Sequence, residues 1–332
     1  MEPLDLGKNT GSGLLLELKL ELAVVGFMGS IALAAHLTGV AVVLFPELAA
    51  LSHDVLLRPR GEWASQPVQL LLAPAITAVF GLLCTRLLPY SVWTILLMVI
   101  VSLIVIRLLR CSISPAISAG VLPLVLNEHS WLYPLAIFLD LGLLSLILLL
   151  RKRYASSASQ PSPQQALDSL ILDELETAPR SRLWLVALLG FVLLVGAAAQ
   201  HTGLRFLLFP PLIVMGYELF GHPEVPGWMR RPALLPFVCL ITAAVGLLAR
   251  HILHPGFLAV MLTVLCSVGV LRLFGLHMPP ALAIGVLPFV MGSPDYRYPL
   301  SVFLGTAALT LSYLGYRRAA ERFAQRSSSA AA

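Results

Sequence analysis

The chain has 332 residues, of which 58% are hydrophobic and only 12% are charged, and its mean hydropathy is +0.88. Such a composition supplies too little polar side chain to cover a water-exposed surface, which excludes an ordinary soluble domain. The net charge of +5 comes without motifs that read nucleic acid, so we expect no nucleic-acid partner.

The first predicted elements follow a polar N-terminal segment, residues 1–20, which lacks the pattern of a cleavable leader. The first membrane module, residues 21–150, contains apolar runs of about the length that a helix needs to cross the hydrocarbon layer. Runs rich in Leu, Ala and Val satisfy their own backbone hydrogen bonds as helices. We count six segments, at 21–37, 39–55, 68–88, 91–108, 113–127 and 131–150.

A polar linker, residues 151–183, separates this module from a second one, residues 184–316. The linker has a Ser/Pro/Gln stretch at 156–165, and a short acidic amphipathic helix is predicted over 166–176. The second module repeats the six segments, and a basic, Ser/Ala-rich tail, residues 317–332, ends the chain. Its segments are 184–200, 203–219, 233–252, 256–273, 279–292 and 297–315.

The two modules align with each other, which indicates an internal duplication. A shift of 165 places twelve identities in the 25 positions from Pro115 to Leu139, and a shift of 164 aligns Leu44-Phe45-Pro46 with Leu208-Phe209-Pro210. The fold class predicted is therefore an all-α, polytopic transmembrane helical bundle of two parallel tandem repeats with about six apolar segments each.

The basic residues predict the orientation of the bundle, because Lys and Arg concentrate in cytoplasmic loops. If every segment crosses, eighteen of the 22 basic residues lie on the side of the linker. We therefore expect an integral, multi-pass protein with a cytoplasmic N-terminus, linker and C-terminus. If two segments per repeat entered the membrane and returned to the same side, the number of crossings per repeat would still be even. The charges therefore leave that alternative open. The other four basic residues are Arg86, Arg205, Arg250 and Arg297.

The second and fifth segments of each module are short and are predicted to be interrupted by proline near mid-depth. Proline removes a backbone donor and frees a carbonyl that lipid cannot satisfy, so such backbone must face protein or a wet cavity. Prolines that only kink packed helices are the alternative for any single position. Four matched breaks favour a substrate pathway. The pathway candidates here are Pro46, Glu47, Ser114, Pro115, Pro210, Pro211, Pro279 and Pro280.

Ionisable residues inside a span are costly and are candidates for function. The carboxyl of Glu47 either faces a cavity and handles a proton or is held neutral by burial. The same two alternatives apply to Asp140 in the sixth segment. His53-Asp54 and Tyr217-Glu218 lie near the inner ends of their segments, where we expect interfacial solvation.

Motifs for catalysis, cofactors or metals are lacking. The sequence contains no phosphate-binding Gly-rich loop, Ser/His/Asp set or HExxH helix. His251 and His254 have one-turn spacing but no matching carboxylate or thiolate, so no metal site is expected. We expect no cofactor and no enzymatic activity.

The run Leu276-His277-Met278-Pro279-Pro280-Ala281 resembles the signature of HPP-family membrane proteins, as does Gln66-Pro67 with the span ending Phe80-Gly81-Leu82-Leu83. Here Met278 separates His277 from the prolines, whereas the family's His directly precedes them, and the first module has no such His. Some members are similar to nitrite carriers of photosynthetic membranes. The resemblance implies small-anion transport and adds His277 to the pathway candidates.

The sequence therefore predicts a transporter or channel for a small polar solute, with a small anion such as nitrite as the first candidate. An intramembrane enzyme using Glu47, Asp140 or His277 as acid or base is one alternative, and a scaffold that does not transport is another. The expected partners are the lipid bilayer and a small-molecule or ion substrate. An oligomer is left open.

Overall fold

A computed structural model describes residues 11–154, 173–174, 183–222 and 231–330. In these ranges the regular elements are all helices. The acidic helix predicted over 166–176 lies outside the described residues, apart from positions 173 and 174. The parts before and after the linker are called the first half and the second half below.

The first half contains seven α-helices and one turn of 3-10 helix. Their bounds are α1 Gly11–Thr38, the 3-10 turn Ala41–Val43, α2 Glu47–Leu57, α3 Glu62–Ser65, α4 Pro67–Leu87, α5 Val92–Leu108, α6 Pro115–Leu126 and α7 Leu132–Tyr154.

The described part of the second half contains six α-helices and two 3-10 turns. Their bounds are α8 Leu183–Thr202, the turn Arg205–Leu208, α9 Pro210–Gly221, α10 Leu234–Leu253, α11 Phe257–Phe274, α12 Pro280–Val286, the turn Leu287–Phe289 and α13 Arg297–Ala330.

Among the residues that the structure describes, seven helices are long and apolar enough to cross a membrane by length and composition, namely those at Leu15–Thr38, Pro67–Leu87, Leu132–Arg153, Leu183–Thr202, Leu234–Leu253, Phe257–Phe274 and Arg297–Glu321. Their outward faces are apolar. On α7, Leu135, Leu139, Leu146 and Leu150 are each at least 44% exposed, in the i, i+4 and i+7 pattern of one helix face. Lipid tails suit such a surface and water does not.

Two helices differ in extent from the sequence prediction. The first begins at Gly11 and thus includes part of the segment that was expected to be a polar lead-in. The last continues to Ala330, through the region expected to be a separate tail. A polar helical turn that extends a span costs little outside the hydrocarbon layer, because water can satisfy it there.

At four positions the prolines of the short segments mark helix starts and not interruptions, whereas Pro123 lies inside α6 and Pro288 lies in the 3-10 turn after α12. Pro115, Pro210 and Pro280 are the first residues of α6, α9 and α12, and Pro46 directly precedes α2. Proline fits the first helical position because its missing N–H would have no helical partner there. Each short segment therefore consists of non-helical chain joined to a short helix.

The four short helices, α2, α6, α9 and α12, pack on helices of their own half and also across the two halves. Helix α2 contacts α12, and α9 contacts α6. Two pairs of longer helices also pack across the halves, namely α1 on α11 and α5 on α8. The halves are thus interleaved around a centre formed by the short helices.

The two ends of the bundle can be distinguished by ion pairs and hydrogen bonds. At one end, called the linker end, Arg58 pairs with Asp173 of the linker at 2.5 Å and Arg151 donates to the carbonyl of Leu56 at 3.0 Å. At the same end Arg272 of α11 pairs with Glu21 of α1 at 2.8 Å. The opposite end is called the far end.

The four basic residues assigned to the far end each have a local partner. The guanidinium of Arg86 donates to the carbonyl of His129 and lies over Trp131, and that of Arg205 lies 4.4 Å from the ring centre of Tyr90. Arg250 donates to the carbonyls of Pro288, Met291 and Gly292 after α12. Arg297 lies 3.9 Å from Asp295. The contacts of Arg86, Arg205 and Arg250 hold loops in place, whereas Arg297 is 66% exposed.

Candidate functional site

Helix α6 starts where it does because the preceding chain is held by α3. The indole of Trp63, which is 2% exposed, donates to the carbonyl of Ser112 at 3.1 Å. The Ser112 hydroxyl donates to Glu62 at 3.0 Å, and Gln66 donates to Glu62 at 2.7 Å. This network keeps the non-helical residues before Pro115 at the linker end and sets the depth at which the helix begins.

The first turn of α6 faces a carboxyl group of α2. Ser118 donates a hydrogen bond to Oε1 of Glu47, while Oε2 of Glu47 has no hydrogen-bond partner among the described residues. Glu47 is 2% exposed and Ser118 is fully buried. A buried carboxyl with one unpaired oxygen is costly in a low-dielectric interior, so this position is a candidate for binding a proton or a polar solute.

A second carboxyl group reaches α6 from the other half of the chain. Ser114, directly before the helix, donates a 2.6 Å hydrogen bond to Glu218 of α9. Both side chains are at most 1% exposed. Because Ser114 and Ser118 are one turn apart on α6, they share a face of that helix. This face therefore contacts one buried carboxyl from each half.

A polar cluster at the linker end surrounds Asp54 of α2. Asp54 is fully buried and lies 3.2 Å from Arg58 and 3.7 Å from His277, yet neither of its carboxylate oxygens makes a hydrogen bond. The ring of His53 lies 5.4 Å from that of His277.

An open groove of about 190 Å³ lies at the far end between α1 and α11. Its walls include His36 and Ala41 from the first half and Pro255 and Phe289 from the second half. Leu44, two residues before Pro46, forms part of its floor. The groove thus leads from the far end toward the start of α2.

Most of the predicted pathway residues lie in the central region. Pro46, Pro115, Pro210, Pro211, Pro279 and Pro280 are buried at or beside the starts of the four short helices, together with Glu47 and Ser114. The His277 side chain is 30% exposed at the linker end. Asp140 lies on α7, 5% exposed, with its Oδ2 lacking a hydrogen-bond partner.

Asp54, Glu218, His53 and Ser118 were not predicted as site residues. The prediction of interfacial solvation for His53-Asp54 and Glu218 was wrong, since each is at most 4% exposed. Their helices end inside the bundle, where neighbouring helices cover them. One signal was present in the sequence, because the shift of 164 that aligns the short segments places Asp54 opposite Glu218.

The described residues thus define a polytopic helical membrane protein with a buried polar centre made by short helices. Comparison of the chain with protein-family models, with curated proteins and with solved structures found no match in any of the three. The proposed function therefore rests on the helical architecture and on the buried polar centre.

Proposed function

We propose that the protein is a membrane carrier for a small polar solute, with a small anion such as nitrite as the first candidate. The observation that carries the proposal is the meeting of α2, α6, α9 and α12, whose buried faces hold Glu47, Ser118, Ser114 and Glu218. Lipid-embedded proteins confine non-helical backbone and ionisable side chains to places that face protein or a polar pathway.

We propose further that the two halves are parallel tandem repeats. Matched contacts support this arrangement. A Cβ added at Gly81 would collide with the carbonyl of Gly120, and one at Gly246 would collide with that of Gly285. The hydroxyls of Tyr133 and Tyr298 donate to the carbonyls of Ala119 and Ile284. In both pairs of contacts, each residue of the second half has a number 165 higher than its counterpart in the first half. This is the shift that aligns the two modules.

Burial of the centre favours a carrier over an open channel. An open pore would leave its polar lining accessible to water, whereas Glu47, Ser114 and Glu218 are each at most 2% exposed. The residues that line the groove at the far end do not include these three. In this proposal the interleaved halves move relative to each other and expose the centre to one side at a time.

The charges at the centre set a condition on the solute. Ionised Glu47, Asp54 and Glu218 would repel an anion, while Arg58 and Arg272 at the linker end would attract it. A small anion is therefore expected to cross only when carboxyls along its way are protonated. Helix N-termini add partial positive charge at the starts of the short helices.

The orientation and the family resemblance belong to the same proposal. The basic residues support cytoplasmic placement of the linker end, and the motif at Leu276 to Ala281 supports two HPP-like modules. The two alternatives have less support. Glu47 bonds to Ser118 and His277 pairs with Asp54, so the described hydrogen bonds and ion pairs do not join these candidate acid/base groups to each other or to Asp140.

Flux measurements on purified protein in liposomes test the proposal. Nitrite and a panel of other small anions are offered with and without a pH gradient. We expect uptake above that of empty liposomes. Glu47→Gln, which keeps this side chain uncharged, should weaken the dependence of uptake on the pH gradient, and Pro279→Ala should reduce uptake at least tenfold. The matched controls Glu321→Gln and Pro89→Ala change exposed positions and are expected to keep wild-type flux. Uptake of no member of the panel would overturn the proposal.

A further inference from the structure

The two halves meet at the far end in two matched interfaces. In one, the end of α8 lies against the start of α5, and in the other the end of α1 lies against the start of α11. The shifts of 164 and 165 that align the modules pair these interfaces residue by residue. A difference between the interfaces therefore comes from the side chains at which the two halves have diverged.

The interface between α8 and α5 is closed by side-chain contacts. The amide oxygen of Gln200 accepts a hydrogen bond at 3.2 Å from the backbone N–H of Val92, the first residue of α5. The guanidinium of Arg205 lies 4.4 Å from the ring centre of Tyr90, which is the geometry of a cation–π contact. A Cβ added at Gly196 would lie 2.6 Å from Cγ2 of Val92, so no gap remains between the helices at that position.

The matching positions at the interface between α1 and α11 line the open groove. Gly196, Gln200, Arg205 and Tyr90 correspond in that order to Ala32, His36, Ala41 and Pro255, and all four counterparts belong to the walls of the groove. Alanine and proline have neither the guanidinium nor the phenol ring of the stacked pair. The space that this pair fills at the closed interface therefore stays open here.

A second depression at the far end lies on a single helix. It is lined by three residues of α8, namely Ala197, Gln200 and His201. The groove, in contrast, has walls from both halves. Of these two hollows, the groove is thus the one that enters between the halves.

The groove ends on two buried apolar side chains. Leu44 is 3% exposed and Phe289 is 5% exposed, and both line the groove. Leu44 lies three residues before Glu47, and Phe289 follows α12, which packs on α2. The floor is therefore built from the segments that lead into the buried centre. The residue that matches Glu47 in the second half is Pro211, so the open interface adjoins the segment that carries this carboxyl.

We propose that this groove is the entrance by which a small anion reaches Glu47 from the far end, with Leu44 and Phe289 as the gate that must move aside. The matched interface between α8 and α5 is a fixed joint. This inference rests on the proposed function and adds the route and the gate.

The size and the charge of the groove fit a small anion. Its volume of about 190 Å³ is below the roughly 300–1,000 Å³ of pockets that hold drug-sized ligands. Among the described residues that line it there is a histidine, His36, and no acidic side chain. A small anion thus meets no carboxylate in the groove before it reaches Glu47.

Transplanting the closed joint into the groove tests the route. Ala41→Arg with Pro255→Tyr introduces, at the matching positions, the pair that Arg205 and Tyr90 form at the other interface. Uptake into liposomes of nitrite, or of the panel anion that wild type takes up fastest, should fall at least tenfold in this double variant. His201→Arg is the control, because it adds a guanidinium at an exposed far-end position outside the groove, and it should keep wild-type uptake. Wild-type uptake by the folded double variant would overturn the inference.

Chemical labelling tests the same route on protein that has already folded, so it decides the matter if the double variant does not fold. In a background without the four native cysteines, Ala41→Cys is treated from the far side with a negatively charged, membrane-impermeant methanethiosulfonate. The label should block uptake relative to the same variant without label. His201→Cys should take the label and keep its uptake. Loss of uptake in both labelled variants, or in neither, would contradict the proposed entrance.

The same measurements separate this inference from the proposed function. Uptake that wild type shows and that labelled Ala41→Cys retains refutes the entrance and leaves the carrier standing. If wild type takes up no anion of the panel, the carrier is refuted and the entrance with it. Uptake that is lost only when the groove is blocked supports both.

Discussion

Ser114, directly before α6 of the first half, donates a 2.6 Å hydrogen bond to Glu218 of α9 in the second half, and both side chains are buried. This bond joins residues 104 positions apart in the sequence. It shows that the polar centre belongs to neither half alone. The four predictions below follow from contacts of this kind.

Loss of the Ser114 hydroxyl is expected to destabilise the protein. Ser114→Ala removes the donor to Glu218 and leaves a buried carboxyl oxygen with one partner fewer, which costs about 1–3 kcal/mol. The thermal unfolding midpoint in detergent should fall. Ser30→Ala is the control, because that exposed hydroxyl bonds only within its own helix. Equal midpoints for the two variants would contradict the assignment.

The close approach of glycines predicts matched effects in the two halves. A methyl group at Gly81 or Gly246 would strike the carbonyl of Gly120 or Gly285, so Gly81→Ala and Gly246→Ala are each expected to cost about 1–3 kcal/mol by overpacking. Gly269→Ala, at a helical glycine with open space around it, should be neutral or slightly stabilising. Unfolding followed by near-UV circular dichroism provides the comparison. A large effect in only one half would count against matched packing.

Interleaving of the halves predicts a specific cross-link. A Cβ at Gly29 of α1 would lie 2.7 Å from Cγ of Met261 in α11, which is close enough for a disulfide between cysteines at the two positions. In a background without the four native cysteines, oxidised Gly29→Cys with Met261→Cys should hold the halves together after a protease cuts an inserted site in the linker. Gly26→Cys with Met261→Cys should separate on a denaturing gel, because the space beside Gly26 is empty.

Arg250 is expected to hold the loop that follows α12. Its guanidinium donates to three carbonyls, at Pro288, Met291 and Gly292, and methionine at this position would leave all three without that donor. Arg250→Met should lower the thermal midpoint and increase protease cleavage between residues 287 and 296. Arg297→Met serves as the control, since that side chain is 66% exposed. Unchanged cleavage in Arg250→Met would show that the loop is held by other contacts.

Much of the site could be located from the prolines. Pro46, Pro115, Pro210 and Pro280 were expected to mark short segments near a pathway, and the structure places them at the starts of four helices that meet. The prediction of interruption within a helix was wrong at these four positions, because proline at the first helical position needs no N–H partner. The burial of Asp54 and Glu218 was also missed, since hydropathy along one helix cannot show which other helix covers its end.

The amino-acid sequence by itself determined that this protein is a helical membrane bundle, because long apolar runs have no other stable solution in lipid. Proline also fixes where the short helices begin, because it acts on the backbone locally, although the sequence had been interpreted as predicting breaks within the segments. Only the tertiary structure decided that the short helices pair across the halves, that Ser114 meets Glu218, and that Asp54 meets His277. These contacts join residues far apart in the chain, and packing between helices selects them.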